Sequence, residues 1–316
     1  RDLHKEYRRQ RQMCIRDSNG RRHQRYGSAQ RMRALQPRPL RGAMAWAATA
    51  AASLPVLIGF VAPALYLVWE SAKRLRQGGG ISHGLLASLA NTIALAAGVT
   101  VAAVAAGLLV AWAARNPGGQ GGAARRGRWP ARVATLGYAV PGTVLAIGLL
   151  TPALAFDAAL ATAFGWQGLP LMGAGVVLVV ACTIRFLAMP VGSIEAGLAR
   201  IPPAIEQAAR LLGESALGAL RRVHLPLLQP SIAAGALLVF VDAMKELPAT
   251  LLLRPANFDT LATWLYAEAA RGTYEEGAIA ALLIVVAGLL PVMLLARSQL
   301  AAAHAADPQP VSSATP

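Results

Sequence analysis

The sequence predicts an all-α, polytopic membrane protein with about six transmembrane helices. Three observations carry that expectation. Charged residues make up only 14% of the 316 positions and hydrophobic residues 55%, whereas soluble domains carry about 25% charged residues. Six apolar segments, at 43–69, 88–113, 132–154, 172–193, 229–252 and 277–297, are long enough or nearly so to cross a hydrocarbon core of about 30 Å. The Lys and Arg residues gather between these segments, as they do in the loops of multi-pass proteins. Mean hydropathy is +0.47.

The elements follow in chain order. Residues 1–18 begin with Arg, share no pattern with the rest and read as an assembly artefact. Residues 19–42 form a basic linker. Residues 1–41 hold 13 of the 30 Lys and Arg and 3 of the 15 acidic residues, so the net charge of +15 belongs mainly to this flank. Beside a membrane span, such a flank reads as a cytoplasmic anchor rather than a nucleic-acid surface. The first span and its following loop occupy 43–83. Small residues dominate 88–113 and allow close helix contact. Pro55, Pro63, Pro141, Pro152, Pro190, Pro248 and Pro291 fall in the apolar segments and mark helices packed inside a bundle. The tail, 298–316, is rich in Ala, Pro and Ser toward its end and is expected to be disordered.

Orientation follows from the short loops. Loops 114–131 and 194–228 are basic, and loop 155–171 has no Lys or Arg. This places both termini and these two basic loops in the cytoplasm. Loop 70–87, with Lys73, Arg74 and Arg76, is the one poor fit.

Loop 194–228 is itself patterned. Pro202 and Pro203 suit a helix start, where a missing N–H costs nothing. Ile205, Ala208, Ala209 and Leu212 then share one apolar face. Gly213 suits a left-handed helix end. Ser215 suits the cap of a second helix with Leu217, Leu220 and Val223 on its apolar side, which Leu225-Pro226 is expected to stop. A rigid two-helix knob at a membrane surface is a surface for another protein.

Charges inside the spans need their own account. Asp242, Lys245 and Glu246 are spaced to share one helical face, with Lys245 placed to pair with both acids. At 1.5 Å per residue, Asp242 lies about 16 Å along its helix from Ser231. Charges at that depth usually line a pathway. Two readings stand: a polar wall of a translocation path, or a buried ion pair locking the bundle. Arg185 likewise reads as a pathway charge or as a side chain reaching for the cytoplasmic surface. Adjacent Glu275 and Glu276 read as a solvated face rather than a catalytic pair. Cys182 reads as a small packing residue. No phosphate-binding loop, metal-ligand spacing or nucleophile motif is present in the sequence, so the chain is not expected to be an enzyme, to hold a metal or to use a cofactor.

The spacing Ala208-Ala209-x3-Gly213-x9-Val223-x-Leu225-Pro226 resembles the coupling loop of ABC importer permeases. The family's Glu position is held by Gln207, with Glu206 directly before it. Asn91-Thr92 resembles the start of the ABC type-1 transmembrane domain, which the likeness extends over 84–297. Residues 240–262, with Lys245-Glu246-Leu247-Pro248-Ala249-Thr250 and Asn257-Phe258-Asp259-Thr260, resemble the iron(III) transport permeases.

The resemblance implies a permease subunit of an ATP-driven importer in the bacterial inner membrane, with iron(III) as its cargo. It implies that Glu206, Gln207, Ala208, Ala209, Gly213, Val223, Leu225 and Pro226 couple to a cytoplasmic ATPase dimer. A periplasmic iron(III)-binding protein would deliver cargo to loops 155–171 and 253–276. Arg185, Asp242, Lys245 and Glu246 would line the path. The basic segment 20–41 resembles a linker between two permease halves, so the chain would be the C-terminal half of a fused pair; a homodimer is the other arrangement. Same-fold importers of thiamine, polyamines or another small solute, and an ATP-independent channel or membrane-embedded enzyme, are the alternative classes.

Overall fold

The computed structural model describes residues 40–77, 81–115, 129–165 and 168–305. The artefact expected at 1–18, nearly all of the linker at 19–42 and the end of the tail, 306–316, lie outside the described residues. The chain divides into two units, Arg1–Leu57 and Ile58–Pro316. In the first, helix α1 (Ala43–Val56) starts after Gly42 and has no buried residue.

The second unit contains the remaining helices. These are α2 (Ala62–Arg76), α3 (His83–Arg115), α4 (Trp129–Ala139), α5 (Gly142–Phe164) and α6 (Pro170–Gly173). They continue as α7 (Val176–Phe186), α8 (Ala188–Arg200), α9 (Pro203–Leu211), α10 (Ala216–Ala219) and α11 (Leu225–Met244). The last three are α12 (Pro248–Leu253), α13 (Leu261–Ala270) and α14 (Tyr274–Ala305).

Among the described residues, five helical stretches are long and apolar enough to cross a membrane: Ala43–Arg76, His83–Arg115, Gly142–Phe164, Ala216–Met244 and Tyr274–Arg297. The pair α7 and α8, bent by 46°, makes a sixth if counted as one span. The all-α architecture with about six spans is therefore as expected, but several boundaries are not. The segment 132–154 is not one helix. Pro141, at φ −56° and ψ 138°, separates α4 from α5, because proline disfavours helical geometry in the residue before it. The segment 229–252 also breaks, at 245–247 ahead of Pro248. Loop 253–276 contains α13, and loop 155–171 is largely helical. The expected disordered tail is helical as far as Ala305.

Two π-helical turns, Leu57–Val61 and Leu220–His224, each come just before a proline, Pro63 and Pro226. A proline ring clashes with the carbonyl four residues back and offers it no N–H. A wider turn relieves both problems without ending the helix. This corrects the expectation that Leu225-Pro226 stops the second knob helix: Ala216–Met244 is helical throughout.

The main core lies between α3, α5, α7, α11 and α12, around Val99, Ala146, Leu178, Val239, Met244 and Leu253. A second cluster (Ala111, Ile194, Leu198, Ile201 and Leu228) joins α3, α8 and α11 at the knob end. Gly235 permits the crossing of α11 over α8: a Cβ there would come within 3.0 Å of the Pro190 Cα. A third cluster (Leu85, Leu261, Ile279 and Ala280) joins α3, α13 and α14. Cys182 is buried in the main core as a free thiol.

Candidate functional site

Two groups of polar residues stand out, at opposite ends of α11. The first is the knob. Pro203 is in the first turn of α9. Gly213 takes φ +85°, the left-handed conformation that favours glycine. Its N–H donates to the Arg210 carbonyl at 3.0 Å, and the Glu214 N–H donates to the Ala209 carbonyl at 3.0 Å. These two bonds close the end of α9. Ser215 Oγ accepts from the Gly218 N–H at 3.1 Å and caps α10. All three local devices read from the sequence are present.

Among the described residues, the expected apolar face is largely exposed. Of Ile205, Ala208, Ala209 and Leu212, only Ala209 is buried. Leu211 is 89% exposed, Leu212 is 85% exposed, and Leu217 is exposed as well. On the second helix Leu220 is buried and Val223 is half-buried. Gln207 is exposed, and Pro226 is exposed at the root. The knob therefore presents exposed apolar side chains on a base held by hydrogen bonds.

Glu206 faces the other way. Its carboxylate takes an ion pair from Arg115 Nε at 3.4 Å and another from Arg210 at 2.6 Å. Arg115, the last residue of α3, also donates to the Leu198 carbonyl and, at 3.3 Å, to the Ile201 carbonyl. One guanidinium therefore pins the start of the knob to the ends of α3 and α8. Sequence reasoning counted Arg115 only as a topology charge; no local signal announces a partner 91 positions away. His224 is buried at the knob's root, with no hydrogen-bond partner at either ring nitrogen among the described residues.

The second group lies where α11 ends. Asp242 and Lys245 pair at 2.8 Å. Glu246 does not join them, which corrects the shared-face expectation. The helix stops at Met244, so Glu246 leaves the face and meets Arg185 of α7 at 3.2 Å. Glu246 Oε1 also accepts from the Ala249 N–H at 3.1 Å, capping α12. Arg185 stands 5.7 Å from the Phe186 ring centre. Gly142, which sequence reasoning missed, packs against this pair. Beside the break, Lys245, Leu247, Leu265, Tyr266, Ala281 and Ile284 are among the residues lining an open groove of about 340 Å³.

The two motif stretches at the start of α3 and after α12 meet in space. Asn91 Nδ2 donates to the Asp259 carbonyl at 3.0 Å. Thr92 Oγ1 accepts from the Leu261 N–H at 2.8 Å. Arg254 pairs with Asp259. These residues hold α13 against α3. In the last turn of α13, Glu268 is buried and bonded by Arg271 and Thr273 from the turn that follows. Burial alone would raise its pKa, but hydrogen bonds from Thr273 and Arg271 hold it below the ordinary value. Buried Asp157 accepts from the Leu171 and Met172 N–H groups at 2.7 and 3.0 Å.

Known proteins resemble this chain in sequence and in fold. The family described as binding-protein-dependent transport system inner membrane component matches residues 122–301. An Fe(3+)-transport system permease protein of Haemophilus influenzae is 30% identical over 167 residues, 53% of this chain and 31% of that protein. A putative 2-aminoethylphosphonate transport system permease protein of Salmonella typhimurium is 30% identical over 170 residues, 54% of this chain and 60% of that protein. The chain thus spans less than two thirds of the length of either relative. Among solved structures, a bacterial ABC transporter involved in the import of the acidic polysaccharide alginate matches with a TM-score of 0.63 at 14% identity, over 80% of this chain and 94% of that one. The MetNI methionine ABC transporter, inward facing, matches with a TM-score of 0.50 at 18% identity, over 69% and 94%. At these identities the likeness is one of fold.

Proposed function

This chain belongs to the binding-protein-dependent transport system inner membrane components, the ABC type-1 permeases, and we propose that it is the membrane subunit of an ATP-driven importer. The observation that carries this reading is the knob: a two-helix projection with an unburied apolar tip and a base fixed by Arg115. The tip, with Gln207, Ala208, Gly213 and their neighbours, is the docking surface for a cytoplasmic ATPase dimer. Glu206 serves the base rather than the tip. Motion of the knob reaches the membrane by two routes. One is the helical continuity of Ala216–Met244. The other is the Arg115–Glu206 link to α3. Rocking of such elements about the path gives alternating access.

The proposed orientation keeps the knob and both termini cytoplasmic. The poor fit of loop 70–87 finds a physical account here. Lys73 pairs with Glu70 at 3.4 Å and Glu275 at 3.8 Å, and Arg74 pairs with Glu276 at 3.0 Å. Two of its three cations are thus engaged. The turn between α12 and α13 and the loop around α6 are the proposed receiving surface for a substrate-binding protein. A second permease half, fused or identical, completes the path, and lipid surrounds the spans.

Iron(III) is the proposed cargo, supported by the stretch 240–262 and by the Haemophilus relative. A second reading, a small oxyanion such as an aminoalkylphosphonate, is favoured by the groove in which Lys245 is the charged wall residue and by the Salmonella relative. The test is uptake by the full gene product, reconstituted with its ATPase and binding protein in liposomes. ATP-dependent entry of radioactive iron(III), lost in Gly213→Trp, is the expected result. Entry of 2-aminoethylphosphonate alone would move the cargo to the second reading. Unimpaired uptake by Gly213→Trp would remove the docking role.

A further inference from the structure

Three of the helical paths through the second unit are interrupted, and the interruptions meet. α4 gives way to α5 at Val140–Pro141, α7 bends into α8 at Leu187, and α11 gives way to α12 at 245–247. Broken helices at membrane depth persist only where protein buries them or where they line a water-filled cavity. One ion pair ties the three together. Arg185 is the penultimate residue of α7, and Glu246 lies in the α11–α12 gap, with 3.2 Å between Nη1 and Oε1.

The fit around the pair is close. The Glu246 side chain is only 4% exposed. The same Oε1 holds the first turn of α12 through the Ala249 N–H. Gly142 opens α5 beside them: a Cβ there would overlap the Arg185 guanidinium and come within 3.0 Å of Glu246 Oε1. Arg185 Nε is buried without a hydrogen-bond partner among the described residues. The guanidinium thus keeps its place through Glu246, the Phe186 ring and the space that Gly142 leaves.

We propose that Arg185, Glu246 and Gly142 form a gate, closed in this structure, that opens when the pair parts. This rests on the importer reading for what passes through it. The mechanical cause lies in the helices. Glu246 follows directly on the rod that begins at the knob, whereas Arg185 sits on α7, beyond the bend at Leu187. A pull on the rod therefore acts on one partner of the pair and not equally on the other. Gly142 sets the closure, because any side chain there pushes the guanidinium off its acid.

Cys182 supplies a native reporter. It lies three residues before Arg185 on the same helix and is fully buried, and the other cysteine is Cys14. The experiment measures the rate at which a small methanethiosulfonate reagent labels Cys182 in membranes holding the full gene product, with every other cysteine changed to Ser. Arg185→Met, Glu246→Gln and Gly142→Ala should each label at least tenfold faster than the parent. The charge-reversed double variant Arg185→Glu with Glu246→Arg should return most of the way to the parent rate. Glu275→Gln, which breaks an ion pair elsewhere, should not change it. Gly142→Ala keeps both charges, so the proposal stays testable if a charge variant fails to insert. Parent-like rates in the gate variants, or equal acceleration by Glu275→Gln, would overturn the gate. Labelling needs neither ATPase nor cargo, so absent uptake with labelling as expected would remove the importer reading and leave the closure standing.

Discussion

Glu268 shows how a single buried charge is stabilised in this chain. Its pKa is held below the ordinary value, so the folded protein binds a proton there less readily than the unfolded chain does. The stabilisation is therefore complete above the unfolded pKa and is lost as the pH falls through the lower, folded one. Thermal unfolding of the detergent-purified protein should show this acid-dependent loss, and Glu268→Gln should lack that part of it; an identical pH profile in the variant would refute the assignment. Residues whose role is local were legible in the sequence. Gly213, Ser215 and Pro203 act on neighbours a few positions away, and spacing alone places them. The partners of Glu206 and Glu246 were not legible. Arg115 and Arg185 lie 91 and 61 positions from them, and a charge pattern along one helix cannot name a partner on another. The expected pairing of Lys245 with Glu246 failed for that reason, since the helix that would align them ends first.

At the scale of elements, apolar length located the spans and proline decided where they break. The sequence marks the prolines of the apolar segments as packing features and Pro226 as a helix stop, and the structure separates three outcomes. Pro141 and Pro248 stand at true breaks. Pro152 and Pro230 are carried inside α5 and α11. Pro63 and Pro226 follow wide turns that keep the helix going. These outcomes depend on what each freed carbonyl can reach, which sequence does not record. Helix α13 was missed because its cap pairs Thr260 with Thr263, where the usual signature has Glu or Gln at the third position. If the wide turn at Leu220–His224 is the accommodation of Pro226, Pro226→Ala should restore a regular turn, relieving a conflict that costs about 3 kcal/mol in an ordinary helix. Hydrogen exchange over residues 220–230 should slow in that variant; unchanged exchange would assign the turn another cause.

At the scale of the whole second unit, the two polar groups lie at the ends of one rod. Leu225 to Met244 is 20 residues, or about 30 Å at 1.5 Å per residue. The knob is at its start and the Arg185–Glu246 pair just past its end. On the proposed importer reading, this arrangement would convert a displacement at the knob into one at the break with few intervening joints. Its central claim is that the exposed apolar tip is where the ATPase sits. The most direct measurement is site-specific cross-linking from Leu212→Cys, with the full gene product expressed alongside the proposed ATPase subunit and a single cysteine placed in the ATPase's cleft. The account predicts a cross-linked pair from Leu212→Cys and none from a cysteine at Glu275, on a different helix. No product at Leu212 under conditions where the assembled complex hydrolyses ATP would contradict it.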